Sequence, residues 1–139
     1  MESSSDDPVD DVVGLFAAIN RRYAQESETA AAVHDLTPLQ VKALLAAEAP
    51  VPMRHIANRL HAEPSNVTTI IDRLESRGLV ERRPASGDRR IKLVAATPAG
   101  LAVAADLRAR MPFAAAPLAR LATEQRQSLR ELLQLVLNA

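Results

Sequence analysis

The run EPSNVTTIIDRLESRGLVERRPASGDRRIKLVA, residues 63–95, decides the fold. Glu63-Pro64 opens a helix, with proline at the first helical position, where a missing N–H costs nothing. Val67, Ile70, Ile71 and Leu74 follow at i, i+3, i+4 and i+7, one continuous buried stripe. Gly78 ends the helix as a residue tolerant of positive φ. The period then changes. Leu79–Arg83 and Ile91–Ala95 read as two strands, and Pro84–Arg90 as a turn-rich loop with a basic far end. A helix of 63–77 followed by a β-hairpin is expected.

Upstream, Pro50 and Pro52 end one helix and restart the chain into a short helix of about 53–60, which buries Ile56, Ala57 and Leu60. Before it, Thr37-Pro38-Leu39-Gln40 combines a Thr N-cap, a proline and a Gln three residues on, a capping box ahead of the stripe Val41, Leu44 and Leu45. Asp7-Pro8 starts a long first helix, with Val9, Val12, Val13, Phe16 and Ile19 on one side, that reaches about Val33. Residues 1–8 read as a disordered tail. Downstream, Thr97-Pro98 caps an alanine-rich helix that runs toward Met111, and Pro112 and Pro117 break it. Thr123 is expected to cap a last helix carrying Leu129, Leu132, Leu133 and Val136 on one face.

Two short helices across a tight turn, followed by strand–loop–strand, make a winged helix-turn-helix. The expected fold is mainly α with a small β-hairpin wing. One domain, 9–139, holds the winged part at 37–97 and flanking dimerisation helices at 9–34 and 98–138. Helices 9–33 and 123–138 carry more apolar surface than a lone small domain needs, and a two-fold dimer would bury it.

The 139 residues carry 17 Lys plus Arg against 17 Asp plus Glu, so the chain is formally neutral. The zero hides an asymmetry: residues 1–50 sum to −6, residues 51–94 to +4 and residues 95–139 to +2. A basic middle in a neutral chain suggests a local surface for a polyanion. No cysteine is present, which excludes disulfides, thiolate zinc sites and thiol switches. His34, His55 and His61 do not fall at a metal-ligand spacing, the four glycines are isolated, and there is no Gly-x-Ser-x-Gly elbow. No enzyme activity, cofactor or metal is therefore expected. No apolar run approaches membrane-spanning length and the acidic start is unlike a signal peptide, so a cytoplasmic protein without membrane contact is expected.

The second helix of such a pair enters the major groove of double-stranded DNA by its N-terminal end. With the stripe inward, Ser65, Asn66, Thr68 and Thr69 lie outward at the helix start. Asn pairs bidentately with N6 and N7 on the major-groove edge of adenine, and Thr methyls touch thymine methyls. Arg73 and Arg77, further along, are placed for contacts to the phosphate backbone. An Arg at a narrow hairpin tip fits the minor groove, and Asp88, two residues before Arg90, has the spacing to orient that guanidinium by a bidentate pair.

The run Leu36–Gln40, then Leu60, Ser65–Thr68, Asp72–Val80, Asp88-Arg89-Arg90 and Thr97–Gly100, resembles the MarR family of bacterial transcription regulators over about residues 10–138. The resemblance implies an obligate homodimer whose first and last helices interlock, bound to a pseudo-palindromic operator, usually as a repressor. It also implies release from DNA by a small phenolic or anionic effector. By motif position, Asp88, Arg89 and Arg90 match the family's wing, with Arg90 the minor-groove residue. The family's effector cleft would here draw on Phe16, Tyr23, Val41, Leu45, Met53 and Leu107.

Three features depart from the family pattern. Thr69 stands where many relatives carry Arg, Ala96 replaces a common Leu, and the lack of cysteine excludes the thiol-oxidation branch. Aromatic residues make up 2%, so an aromatic-lined pocket would be sparse. The competing reading is a winged helix that binds another protein, or a regulator with no small-molecule response. The wing discriminates, since a protein-binding winged helix has no need of Asp88 and Arg90 beside a polar helix start.

Overall fold

The structure, a computed structural model, describes residues 7–114 and 116–139. It comprises helices α1 (Val9–Val33) and α2 (Pro38–Ala46), strand β1 (Val51–Pro52), helices α3 (Met53–Leu60) and α4 (Pro64–Ser76), and strands β2 (Val80–Ala85) and β3 (Asp88–Ala96). Helix α5 (Pro98–Arg110), a 3-10 turn at Pro112–Ala114, α6 (Ala116–Ala119) and α7 (Thr123–Leu137) complete it. The expected mainly-α fold with a small wing is what forms. The chain divides into two compact units, residues 24–110 and the two chain ends up to Tyr23 and from Met111.

In the winged unit the local signals work as expected. Thr37 Oγ1 accepts from the Gln40 N–H at 3.1 Å while Gln40 Oε1 accepts from the Thr37 N–H at 3.0 Å, closing the capping box. Val67, Ile71 and Leu74 of α4 are fully buried with Leu44 and Val41 of α2 and Ile56 of α3. Gly78, at φ 73°, turns the chain out of α4: its N–H reaches the Glu75 carbonyl and the Leu79 N–H reaches that of Leu74, satisfying two orphan carbonyls. Thr97 Oγ1 accepts from the Gly100 N–H and caps α5. Gly100 has a second duty, because a Cβ there would stand 1.9 Å from the Leu79 carbonyl oxygen. Only glycine lets α5 approach β2 so closely.

The hairpin differs from the expected long loop. β2 and β3 continue almost to each other, leaving only Ser86 and Gly87 between them, with Gly87 at φ 86°. A two-residue turn with glycine suits the twist of paired strands. Pro84 lies inside β2 rather than in a loop, which an edge strand tolerates. The irregularity moves into the ladder instead: Pro84 faces Lys92 but Ala85 faces Asp88, so Arg89, Arg90 and Ile91 have no facing residue. β1 was not foreseen. Two residues flanked by proline carry no alternation to detect, and their pairing with Val94 and Leu93 makes the strand.

The unit of the chain ends is built differently. Asp7 accepts from the Val9 N–H at 3.2 Å at the start of α1. Arg22 lies over the Phe113 ring, 4.7 Å from its centroid. Thr123 is not the N-cap of α7. That position is Ala122, whose N–H donates to Gln125 Oε1 at 2.8 Å, the half of a capping box that the N3 glutamine supplies; alanine has no oxygen to supply the other half. None of the described residues of this unit is buried. No described helix is long and apolar enough to cross a membrane.

Candidate nucleic-acid interface

The outward face of α4 is polar from its first turn. Ser65, Asn66, Thr68 and Thr69 are all exposed. Glu63 is the N-cap and makes no side-chain cap bond, so neither Ser65 nor Asn66 is spent on capping. Their side chains have no hydrogen-bond partner among the described residues. The Thr68 hydroxyl donates to the Pro64 carbonyl at 3.0 Å and that of Thr69 to the Ser65 carbonyl at 3.4 Å. This back-bonding uses the hydroxyl proton and leaves each threonine a methyl and free lone pairs to present.

The wing presents Arg90 with its side chain 96% exposed, on the segment of β3 that has no facing residues. A bulge of this kind re-aims a side chain away from the ladder. Asp88 does hold this segment, but not by the expected bidentate pair. Its Oδ1 accepts from the Arg90 backbone N–H at 2.9 Å and stands 3.8 Å from Arg90 Nε. The carboxylate therefore shapes the backbone of the turn and leaves the guanidinium fork open. Arg89 is exposed beside it.

The structure sorts the basic residues into free and engaged. Arg54, Arg59, Arg73, Arg89 and Lys92 are exposed and have no ion-pair or hydrogen-bond partner among the described residues. Arg77, expected at phosphate, instead has its guanidinium on two backbone carbonyls, Asp35 at 2.9 Å and His34 at 2.8 Å. Arg82 bridges Asp72 at 2.6 Å and Glu75 at 2.5 Å, tying β2 to α4. Sequence reasoning counted Arg54, Arg59 and Arg82 only as charge. The first two lie on the exposed face of α3, which a helical wheel through Ile56, Ala57 and Leu60 shows; the Arg82 bridge depends on strand placement and had no local signal.

A third cluster joins α5 to the end of α1. Asp106 Oδ2 is 2.6 Å from His34 Nε2 and accepts from Arg110 Nε at 2.7 Å. The Arg110 hydrogen bond, and after it that of His34, hold the Asp106 carboxyl below the ordinary aspartate value against a smaller opposing effect of burial. No group of His, Asp and Glu able to hold a metal occurs among the described residues.

Of the six expected cleft residues, Val41, Leu45, Met53 and Leu107 belong to the winged unit and Phe16 and Tyr23 to the chain ends. Val41 and Leu107 are fully buried in the core of the winged unit and offer no open surface, while Leu45 and Met53 are half-buried there. Phe16 and Tyr23 do come together, lining an apolar groove of about 450 Å³ with Ile19, Asn20, Phe113, Pro117, Leu118, Leu129 and Leu133.

A helix-turn-helix with an arginine-tipped wing and flanking helices defines a winged-helix regulator fold. The MarR family model matches residues 36–92. A probable transcriptional regulator from Pseudomonas aeruginosa is 30% identical, with 92% of this chain and 98% of that one covered and a TM-score of 0.62. CouR from Rhodococcus jostii, solved with p-coumaroyl-CoA, is 27% identical, with 94% of each chain covered and a TM-score of 0.75. A mutant MarR from E. coli, solved with operator DNA, is 24% identical over 91% of this chain and 93% of that one, with a TM-score of 0.65. No curated protein matches the chain significantly in sequence. The chain belongs to the MarR family of transcription regulators.

Proposed function

We propose that the chain is a cytoplasmic, sequence-specific regulator of transcription that binds a pseudo-palindromic DNA operator as a homodimer and represses from it. The observation that carries this is the nearly fully exposed Arg90 on a compact unit that also exposes Ser65, Asn66, Thr68 and Thr69. In this reading α4 enters the major groove, where those four side chains read base edges. Arg90 enters the minor groove, and Arg73, Arg89 and the α3 residues Arg54 and Arg59 contact phosphate. Asp88 sets the backbone that aims Arg90. The operator complex of the E. coli relative of the same fold supports the reading.

The homodimer rests on exposed apolar surface. Val9, Val13, Leu15 and Ile19 of α1 and Leu132, Leu135, Val136 and Leu137 of α7 are each more than half exposed. A second copy is the partner whose surface matches by construction, and two-fold pairing would set two recognition helices roughly 34–36 Å apart. A folded monomer at micromolar concentration, seen by sedimentation, would overturn it. For the effector, the groove at Phe16 and Tyr23 has the volume and apolar lining of a small-molecule site. The acyl-CoA ligand in CouR supports an aromatic or anionic compound there.

The test is a mobility shift across a salt series, with the duplex this protein enriches from a randomised library against a scrambled duplex of equal composition. Affinity for the enriched duplex that falls steeply with salt and exceeds that for the scrambled one is expected. Flat or absent binding would return the winged helix to a protein-interaction role. Addition of p-coumaroyl-CoA or a simple phenolic acid should weaken the shift. Binding unmoved by any such compound would leave a regulator with no small-molecule response.

A further inference from the structure

Helix α1 ends in an unusual way. Asp35 adopts φ 55°, a left-handed conformation that glycine normally takes, while the Leu36 N–H closes back to the Ala31 carbonyl and the Asp35 N–H to that of Ala32. The last turn of α1 contains no basic residue to meet the negative end of its dipole. The cation comes instead from α4. Arg77, the residue that ends α4, forks onto the His34 and Asp35 carbonyls. The imidazole of the same His34 is bonded to Asp106 of α5, which also holds Arg110. A continuous bonded path therefore runs from α5 through the α1–α2 corner to the end of α4.

We propose that Arg77 is a positioning residue for DNA reading, and that the path Arg110–Asp106–His34–Arg77 sets the placement of α4 from α5. This rests on the DNA-reading function proposed above. α4 is otherwise held by its apolar stripe, which is weakly directional, and by the Arg82 bridge to Asp72 and Glu75, which ties it to β2 and leaves its tie to the α1–α2 corner to Arg77. The Arg77 fork is directional and anchors the C-terminal end, so the far end, with Ser65, Asn66, Thr68 and Thr69, is aimed by it. Any change in α5 that moves Asp106 pulls on His34 and so on the reading helix.

A phosphate contact and a positioning contact leave different marks. Loss of one phosphate contact moves the slope of log affinity against log salt by about 1 and weakens specific and non-specific binding alike. Loss of aim leaves the slope and lowers only the preference for the right sequence. The experiment measures Arg77→Ala, Arg77→Lys and His34→Ala on the enriched and the scrambled duplexes across the salt series, with thermal unfolding alongside. Arg77→Ala should keep the salt slope and lower the specific-to-non-specific ratio about a hundredfold, the worth of one misaligned base contact in each of two subunits. Arg77→Lys, which cannot fork onto two carbonyls, should recover only part of that ratio. His34→Ala should lower it less than Arg77→Ala, because the carbonyl clamp survives. Simple destabilisation would reduce both affinities together and leave the ratio alone. Because the substitution falls in both subunits, a salt slope reduced by about 2 with an unchanged ratio would make Arg77 a phosphate contact and overturn the proposal, as would a ratio unmoved in all three variants. If the unmodified protein enriches no duplex, the DNA-reading function itself falls and the proposal with it.

Discussion

The two units of this chain solve opposite problems. Every fully buried hydrophobic residue, from Ala30 to Leu107, lies in the winged unit of residues 24–110. The exposed large hydrophobics concentrate in the chain ends, from Val9 to Tyr23 and from Leu118 to Leu137. The winged unit closes its core with its own residues, so its surface is free to carry polar recognition groups. The chain ends keep helical periodicity with no buried core among their described residues, so their apolar faces stand exposed. The difference teaches that hydrophobic periodicity tells which face of a helix is sticky, and not whether this chain or a second copy covers it.

The contrast is broken most directly by one change in each unit. Ile71→Ala, at a fully buried position of α4, should cost about 2–5 kcal/mol of folding stability in denaturant titration and leave the dimer dissociation constant unchanged. Leu133→Asp, on the apolar face of α7, should weaken association by about 3 kcal/mol or more in sedimentation, since it leaves an uncompensated charge in the interface. If Leu133→Asp stays as tightly dimeric as the parent, the chain ends are not the interface and the contrast fails.

Gly100→Ala tests how tightly the winged unit is closed. A methyl 1.9 Å from the Leu79 carbonyl oxygen must push α5 from the turn that leads into β2, and a loss of about 1–3 kcal/mol of folding stability in denaturant titration is expected. No loss would mean that this approach is looser than described. On the recognition surface, Arg90→Ala should remove roughly 1–3 kcal/mol of binding to the enriched duplex while leaving thermal stability unchanged. Asp88→Ala should weaken binding by about 1 kcal/mol although it removes a negative charge, because the Arg90 N–H loses its acceptor. Tighter binding by Asp88→Ala would show that its charge matters more than its hydrogen bond.

The smallest effect is electrostatic. Asp106 has its carboxyl held below the ordinary aspartate value by the hydrogen bonds of Arg110 and His34, so the stabilisation of its carboxylate is fully present above about pH 3.9 and is lost as pH falls through the lowered value. Asp106→Asn should therefore unfold at a lower temperature than the parent at neutral pH, with the gap closing in acid. A gap that stays constant with pH would remove the charge from the account.

Much of the recognition surface was legible before any coordinates. Of the stripe Val67, Ile70, Ile71 and Leu74, all but the half-buried Ile70 are buried, and the polar start of α4 is exposed, because 3.6-residue periodicity is a local property. The capping box at Thr37 and the turn at Gly78 were legible for the same reason. The wing was located but misjudged in detail. Pro84 suggests a loop when read alone, yet an edge strand accepts it, and the break in pairing falls at Arg89–Ile91 instead. Arg77 was read as a phosphate contact because charge on an exposed helix end looks available, while the carbonyls it meets lie at the corner between α1 and α2.

The sequence by itself determined the six longer helices, most of their ends, which faces are apolar and that the basic residues gather in the middle; it missed the short helix Ala116–Ala119 and the N-cap of α7. Those facts follow from capping, periodicity and composition, all settled within a few residues of chain. Tertiary structure alone decided which arginines are free and which are engaged: Arg77 on the carbonyls of His34 and Asp35, Arg82 between Asp72 and Glu75, Arg90 open to solvent. A guanidinium pairs with whatever acceptor the fold brings within about 3 Å, and that distance is set by packing between elements far apart in sequence.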